Sequence, residues 1–321
     1  MRRCLRCRTS NHCRRHGHIR LVTKHYLEKV MWINEHVHNH YRPMDLPVEL
    51  CIRSVFQLNN ETVNIWSHLF GFFYFLHMQY RVNYQVLPSL NAPQMDYIVQ
   101  TLSLFGAQLC MILSAAYHTF GCINEYERNK WLRMDIFGIS AGLLGMYLGG
   151  IYTSFYCFNN ALQTYLSALS GIFALALYIP AKHDSISSKI RGTRIGYLHL
   201  TYMAITSFGL YPTFHWVQLH GGFGNSHVST WFPSIVVMFG LVGLGFVFYA
   251  TLIPERFYPG KFDLVGCSHQ WWHLLILAAM IYWNEAGIQL LTYYHSMPRL
   301  CSHLDQDFNT VRIFNSTHAE L

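Results

Sequence analysis

The stretch Cys267–Trp283, CSHQWWHLLILAAMIYW, holds two readings at once. From Leu274 onward it is apolar enough to sit in lipid, yet it opens with His269 and His273. Four residues apart on a helix, the two imidazoles share one face, and an i, i+4 histidine pair can grip a single metal ion. The bland alternative is two interfacial histidines facing water and headgroups. The rest of the chain has to decide between them.

Of 321 residues only 12% are charged, 52% are hydrophobic and 16% aromatic. A soluble domain carries about 25% charged residues. The deficit is concentrated in long stretches almost free of Lys, Arg, Asp and Glu, the pattern of a polytopic membrane protein. Seven stretches, near 62–80, 96–119, 135–157, 161–179, 195–217, 231–253 and 268–292, are long enough to span. The N-terminus, MRRCLRCRTSNHCRRHGHIR, has a positive region with no apolar run behind it, so a cleavable signal peptide is not expected. The expected fold is an all-α integral membrane protein, a seven-helix bundle over 62–296. A basic, disordered tail over 1–44 and an interfacial helix over 45–61 precede it, and a tail over 297–321 follows.

An odd number of crossings divides the loops between two sides. Of the 23 basic residues, all but Arg81, Arg299 and Arg312 fall on the side of the N-terminal tail. The positive-inside rule then predicts a cytosolic N-terminus and a lumenal or extracellular C-terminus. A rhodopsin-like receptor has the reverse topology, and its Asp-Arg-Tyr signature is missing here.

Polar residues at span ends carry the chemistry. The second span ends ILSAAYHTFGC, placing His118 near its cytosolic end with Ser114 one turn deeper; the third begins with Asp135. His118, Asp135, His269 and His273 thus share one depth in the inner leaflet. Three histidines with an open fourth position are a ligand set for catalytic zinc, which acidifies water to a pKa of about 7. Asp135 can hold that water or act as general base, or serve as a helix N-cap, and Ser114 can orient a carbonyl. Glu61, Asn64 and His68 lie on one face of the first span, as braces of the site or ties to the interfacial helix. Cys122 and Cys267 are rival soft ligands or acylation sites. His77, His183, His199, His215 and His220 show no grouping.

Other features read structurally. Cys4, Cys7, His12, Cys13, His16 and His18 can be drawn as a zinc knuckle, but a basic tail against anionic lipid is the simpler reading. Val48, Cys51, Ile52 and Val55 recur at helical spacing, as in an interfacial helix or one packed on loops. Gly138, Gly142, Gly145, Gly149 and Gly150, with Gly240, Gly243 and Gly245, read as close helix packing. Cys157 and Cys301 are the two cysteines expected on the oxidising side and can pair, though the pattern is no disulfide scaffold. Asn315 opens a glycosylation acceptor on that side.

ETVNIWSH, SAAYH followed by MD, and SHQWWH resemble the three signature motifs of the progestin and adipoQ receptor family, over about residues 45–296. The resemblance implies seven helices, a cytosolic N-terminus and zinc on His118, His269 and His273, with Asp135 and Ser114 beside the water. LCIRSVFQLNNETVNIWSH, PTFHWVQLHGG and IPERFYPGKFDLVGCSHQWWH are similar to stretches of the family's third member. That likeness implies a Golgi membrane protein capturing Raf kinase through its cytosolic N-terminal region and damping MAP kinase signalling. The alternatives it implies are a zinc-dependent amidase acting on ceramide or releasing fatty acid, and a ligand-sensing receptor.

Overall fold

The computed structural model describes residues 14–15, 18–181, 195–297 and 301. Apart from a two-residue pairing of Arg14–Arg15 with His18–Ile19, the described chain is helical. A short helix, α1 (Val48–Ser54), precedes seven rods: α2 (Thr62–Arg81), α3 (Gln94–Phe120), α4 (Glu125–Ser154), α5 (Asn159–Ala181), the pair α6 (Tyr197–Phe208) and α7 (Leu210–Leu219), α8 (Ser226–Thr251) and α9 (Ser268–Ser296). Of these, α3, α4, α8 and α9 are long and apolar enough to cross a membrane on length and composition alone. Large apolar side chains such as Phe70, Phe73, Phe105, Val236 and Leu244 lie exposed on the rods, where lipid is their solvent.

Local chemistry sets the ends. Asn124 accepts a hydrogen bond from the Glu127 amide and starts α4, with Glu125 and Glu127 in its first turn. Asn225 does the same for α8 through the His227 amide. The fifth rod, expected as one piece, breaks at Gly209. Pro212 has no amide hydrogen, and its ring crowds the carbonyl four residues back, at Phe208.

The most extensive packing joins α3 to α4 and depends on missing side chains. A Cβ on Gly145 would stand 2.5 Å from the Ser103 carbonyl oxygen, and one on Gly150 2.5 Å from the Trp283 ring. Gly138 and Gly142 also lie close on α3, at 3.1 and 2.9 Å from its atoms, so the third-span glycines do pack as expected. In the sixth rod the expectation fails for Gly240 and Gly243, beside which nothing lies within 4 Å. Gly245 alone of those three packs, against Trp272 and Leu275 of α9.

Two further expectations give way. Residues 19–44, expected as part of a disordered tail, are folded with Asp45 and Leu46 onto one end of the bundle. The Val22 amide bonds the Tyr41 carbonyl at 2.8 Å, and Asp263 accepts from the amides of His38 (3.0 Å) and Asn39 (2.8 Å). Asn34 donates to Glu255 at 3.0 Å. These polar anchors lie more than 200 residues away in sequence, so no local periodicity announces them. At the other end Cys157 and Cys301 form a disulfide across 144 residues, the pairing the spacing alone favoured less. Cys4, Cys7, His12, Cys13 and His16 lie outside the described residues, as does the Asn315 acceptor.

Candidate metal centre and its cavity

The C-terminal turns of α3, the third turn of α4, where Asp135 sits ten residues past the helix start, the first turns of α9 and the start of α2 meet at the end covered by residues 19–46. His118, His269 and His273 each present a ring nitrogen there, all within 4.8 Å of one another. The helical spacing of the α9 pair brings its two Nε2 atoms to 3.3 Å. His118 and His273 are almost wholly buried, at 4% and 2% exposed, and His269 is half-buried. No other described group of His, Cys, Asp and Glu meets the same test.

Glu61, at the N-terminus of α2, accepts a hydrogen bond from His118 Nδ1 at 2.8 Å and one from Asn64 Nδ2 at 2.6 Å. That bond leaves Nε2 as the lone-pair atom of His118, turned to the cluster, the usual orienting arrangement for a metal-bound imidazole. Burial alone would raise the Glu61 carboxyl; its contact with His118, with the Arg42 guanidinium and the Asn64 amide, outweighs it and lowers the group. His68 stacks on His273 with ring centroids 4.0 Å apart. Glu61 thus contacts His118, Asn64 contacts Glu61, and His68 contacts His273.

Asp135 is buried in α4 and hydrogen-bonds the Ser114 hydroxyl. Both line a cavity of about 700 Å³ that also reaches His118, His269 and His273. Its walls come from α3, α4, α6, α7, α8 and α9 and are mainly apolar, with Ile139, Leu143, Phe239 and Ile276 among them. Along α9 the lining runs from His269 to Trp283, about 21 Å at the helical rise. One polar end and a long apolar body suit a lipid chain.

Three residues here carried no readable signal. Arg42 sends its guanidinium into the C-terminus of α3, bonding the Thr119 carbonyl at 2.8 Å and the His118 carbonyl. His199 bonds the Tyr249 hydroxyl at 2.8 Å, and both line the cavity. An arginine beside a proline and a tyrosine inside an apolar run look ordinary until the chain folds. The supposed soft rivals are otherwise engaged. Cys267 is fully buried against Val37 and Tyr41, and burial pushes its thiol up to about 12. Cys122 contacts Cys51. Of the ungrouped histidines, His215 bonds Tyr165 and His220 stacks on His227 at 4.5 Å, a second small cluster far from the centre. His183 lies outside the described residues.

An all-helical membrane bundle with a three-imidazole centre at one end defines the class, and residues 56–284 match the haemolysin-III related family. The chain belongs to that family, in its progestin and adipoQ receptor branch. It is 35% identical over 281 residues to human progestin and adipoQ receptor family member 3, covering 87% of this chain and 89% of that one. The mouse counterpart is 36% identical over the same span. The adiponectin receptor protein of Drosophila melanogaster is 29% identical over 281 residues, 87% of this chain and 61% of its own.

Proposed function

We propose that the chain holds zinc on His118, His269 and His273 and acts on the amide of a membrane lipid, of the ceramide class, seated in the cavity. The observation that carries this reading is the junction of the centre with a lipid-length apolar cavity, with Asp135 and Ser114 at the join. The donor set fits the ion. Three imidazole nitrogens suit a borderline metal, and two Nε2 atoms 3.3 Å apart need a cation or a shared proton between them. When bound, zinc supplies a Lewis acid that polarises a carbonyl and acidifies water. The chain's own residues do the rest. The cavity walls orient the acyl chain and exclude bulk water. Ser114 donates to the amide carbonyl oxygen. Asp135 takes the proton from the attacking water and passes it to the leaving amine. Glu61 keeps His118 in one tautomer throughout.

Ceramide turnover by purified chain, abolished in Asp135→Asn while zinc remains bound, is the expected result. Equal turnover in wild type and variant overturns the hydrolase.

The likeness to family member 3 favours a second, compatible role: residence in the Golgi membrane and capture of Raf kinase at the cytosolic end, damping MAP kinase signalling. The folded segment 19–46 offers a surface for it. The proposed orientation, N-terminus cytosolic, rests on the basic loops and on the Cys157–Cys301 disulfide at the opposite end, which suits an oxidising compartment. Expression of the full chain is expected to draw Raf to Golgi membranes; Raf that stays cytosolic removes this role.

A further inference from the structure

Between α1 and the end of α3 lies a pair of thiols that neither role uses. Cys51 is fully buried on the inner face of α1. Cys122 is half-buried in the turn four residues past His118, and the two Sγ atoms are 3.8 Å apart. The contact is built into the fold. The Asp45 amide bonds the Ile123 carbonyl at 2.7 Å, and Leu46, Leu50 and Cys51 pack on Phe120, Cys122 and Ile123. One Arg42 amino group reaches both Ser54 of α1, at 2.9 Å, and the Thr119 carbonyl, at 2.8 Å. Cys122 also lines a small chamber of about 20 Å³, shared with Arg42, Asn60, Glu61 and His118, room for about one water molecule.

We infer that Cys51 and Cys122 form an oxidation site, closed to an intramolecular disulfide by a hydroperoxide and reopened by thiols. The Cys122 thiolate attacks one peroxide oxygen and the O–O bond breaks, leaving a sulfenic acid and, after protonation, water. Cys51 sulfur then attacks the sulfenic sulfur, the S–O bond breaks, the S–S bond forms and a second water leaves. Two thiols lose two electrons in total and one hydrogen peroxide gains them. The sulfurs must close from 3.8 Å to about 2.0 Å, a shift that a seven-residue helix at the bundle's edge can supply.

Several features favour this order of events. Cys122 is the accessible member, and nucleophilic attack needs thiolate. The hydrogen bond from Cys51, against burial and with help from Arg42, lowers the Cys122 thiol, while the same bond drives Cys51 upward. In the proposed orientation the pair faces the cytosol, where the reduced form is the resting one. Once formed, the bond clamps α1 to the turn that ends the His118 helix. The inference does not depend on zinc or on the hydrolase.

The test is a peptide map of the full chain in detergent, treated with hydrogen peroxide, alkylated and digested without reduction. Expected are a Cys51–Cys122 cross-linked peptide, the loss of two alkylatable thiols per chain, and recovery of both with dithiothreitol. The Cys157–Cys301 peptide serves as internal control. In Cys51→Ser, Cys122 is expected to accumulate as a dimedone-trapped sulfenic acid with unchanged metal content. Cys122 that stays alkylatable in the wild-type chain, or that links to Cys4, Cys7, Cys13 or a second chain, overturns the inference. The wild-type map decides even if the variant fails to fold.

Discussion

Helix α3 carries a buried carboxylate–imidazole pair at each end, and the two pairs are put to different use. At its N-terminal end Asp96 bonds His295 at 2.6 Å through one oxygen and the Tyr152 hydroxyl at 2.5 Å through the other. Tyr156 approaches the same imidazole at 3.4 Å, and stacked rings close over the pair. Both Asp96 oxygens are spent inside the protein, joining α3, α4 and α9. At the C-terminal end of α3 Glu61, itself held by Asn64, binds one nitrogen of His118 and leaves the other turned to two more histidines beside a cavity. Neither nitrogen of buried His68 has a hydrogen-bond partner of good geometry there, and Asn64 Oδ1 and His273 Nδ1 are likewise unpaired. Buried polar groups are normally satisfied. A closed network reads as a clamp, and an open one as a place for something the chain alone does not supply.

The largest effect follows from removing a ligand. His118→Ala is expected to lower zinc content from about one per chain to near zero, read by metal analysis, because two ligands on a single turn of α9 do not make a four-coordinate structural or catalytic site. It also strands the Glu61 carboxylate and so lowers stability, but the fold should survive, since Arg42 stays beside Glu61 and α3 is held by α2 and α4 along its length. Asp96→Ala should do the reverse. It strands His295 and the Tyr152 hydroxyl, and breaking a buried pair costs about 3–5 kcal/mol. Thermal unfolding in detergent should show the loss with zinc content unchanged. If Asp96→Ala released zinc, or His118→Ala unfolded the chain, the two ends would not be separable.

The C-terminal end of α3 was largely legible before folding, and its N-terminal end was not. His269 and His273 fall on one helical face, and counting crossings puts His118 and Asp135 at their depth; periodicity and length suffice for both. The seven rods follow from charge-poor stretches, so they too could be read. Asp96, Tyr152 and His295 sit in three different stretches with no shared spacing, each resembling an ordinary interfacial residue. Arg42 and the 19–46 segment escaped for the same reason. Their partners, the α3 carbonyls, Glu255 and Asp263, are known only once distant helices meet. The break at Gly209 was visible in Pro212 but was masked by the apolar run around it.

Glu61→Gln sharpens the comparison because it alters the pair without removing the imidazole. The new amide can still hold the ring, but the tautomer is no longer fixed by a carboxylate. Loss of an orienting partner of this kind costs about 10- to 100-fold in metal affinity. Competition with a chelator should show that loss with little change in melting, whereas Asp96→Asn should lower melting and leave affinity alone.

The smallest effect is expected at a third pair. Glu49 and Arg53 stand one turn apart on α1 with Nη2–Oε1 at 2.6 Å, a shorter contact than Glu61 makes with His118. If distance ruled, this would be a strong bond. Its side chains are 64% and 57% exposed, however, so water and salt screen it. Arg53→Ala should therefore change stability by no more than about 0.5 kcal/mol, and the metal not at all. A loss above about 1 kcal/mol in a salt-insensitive melt would mean that α1 is sealed from water more deeply than its exposure shows. The contrast between buried and exposed pairs would then no longer account for which of the three matters.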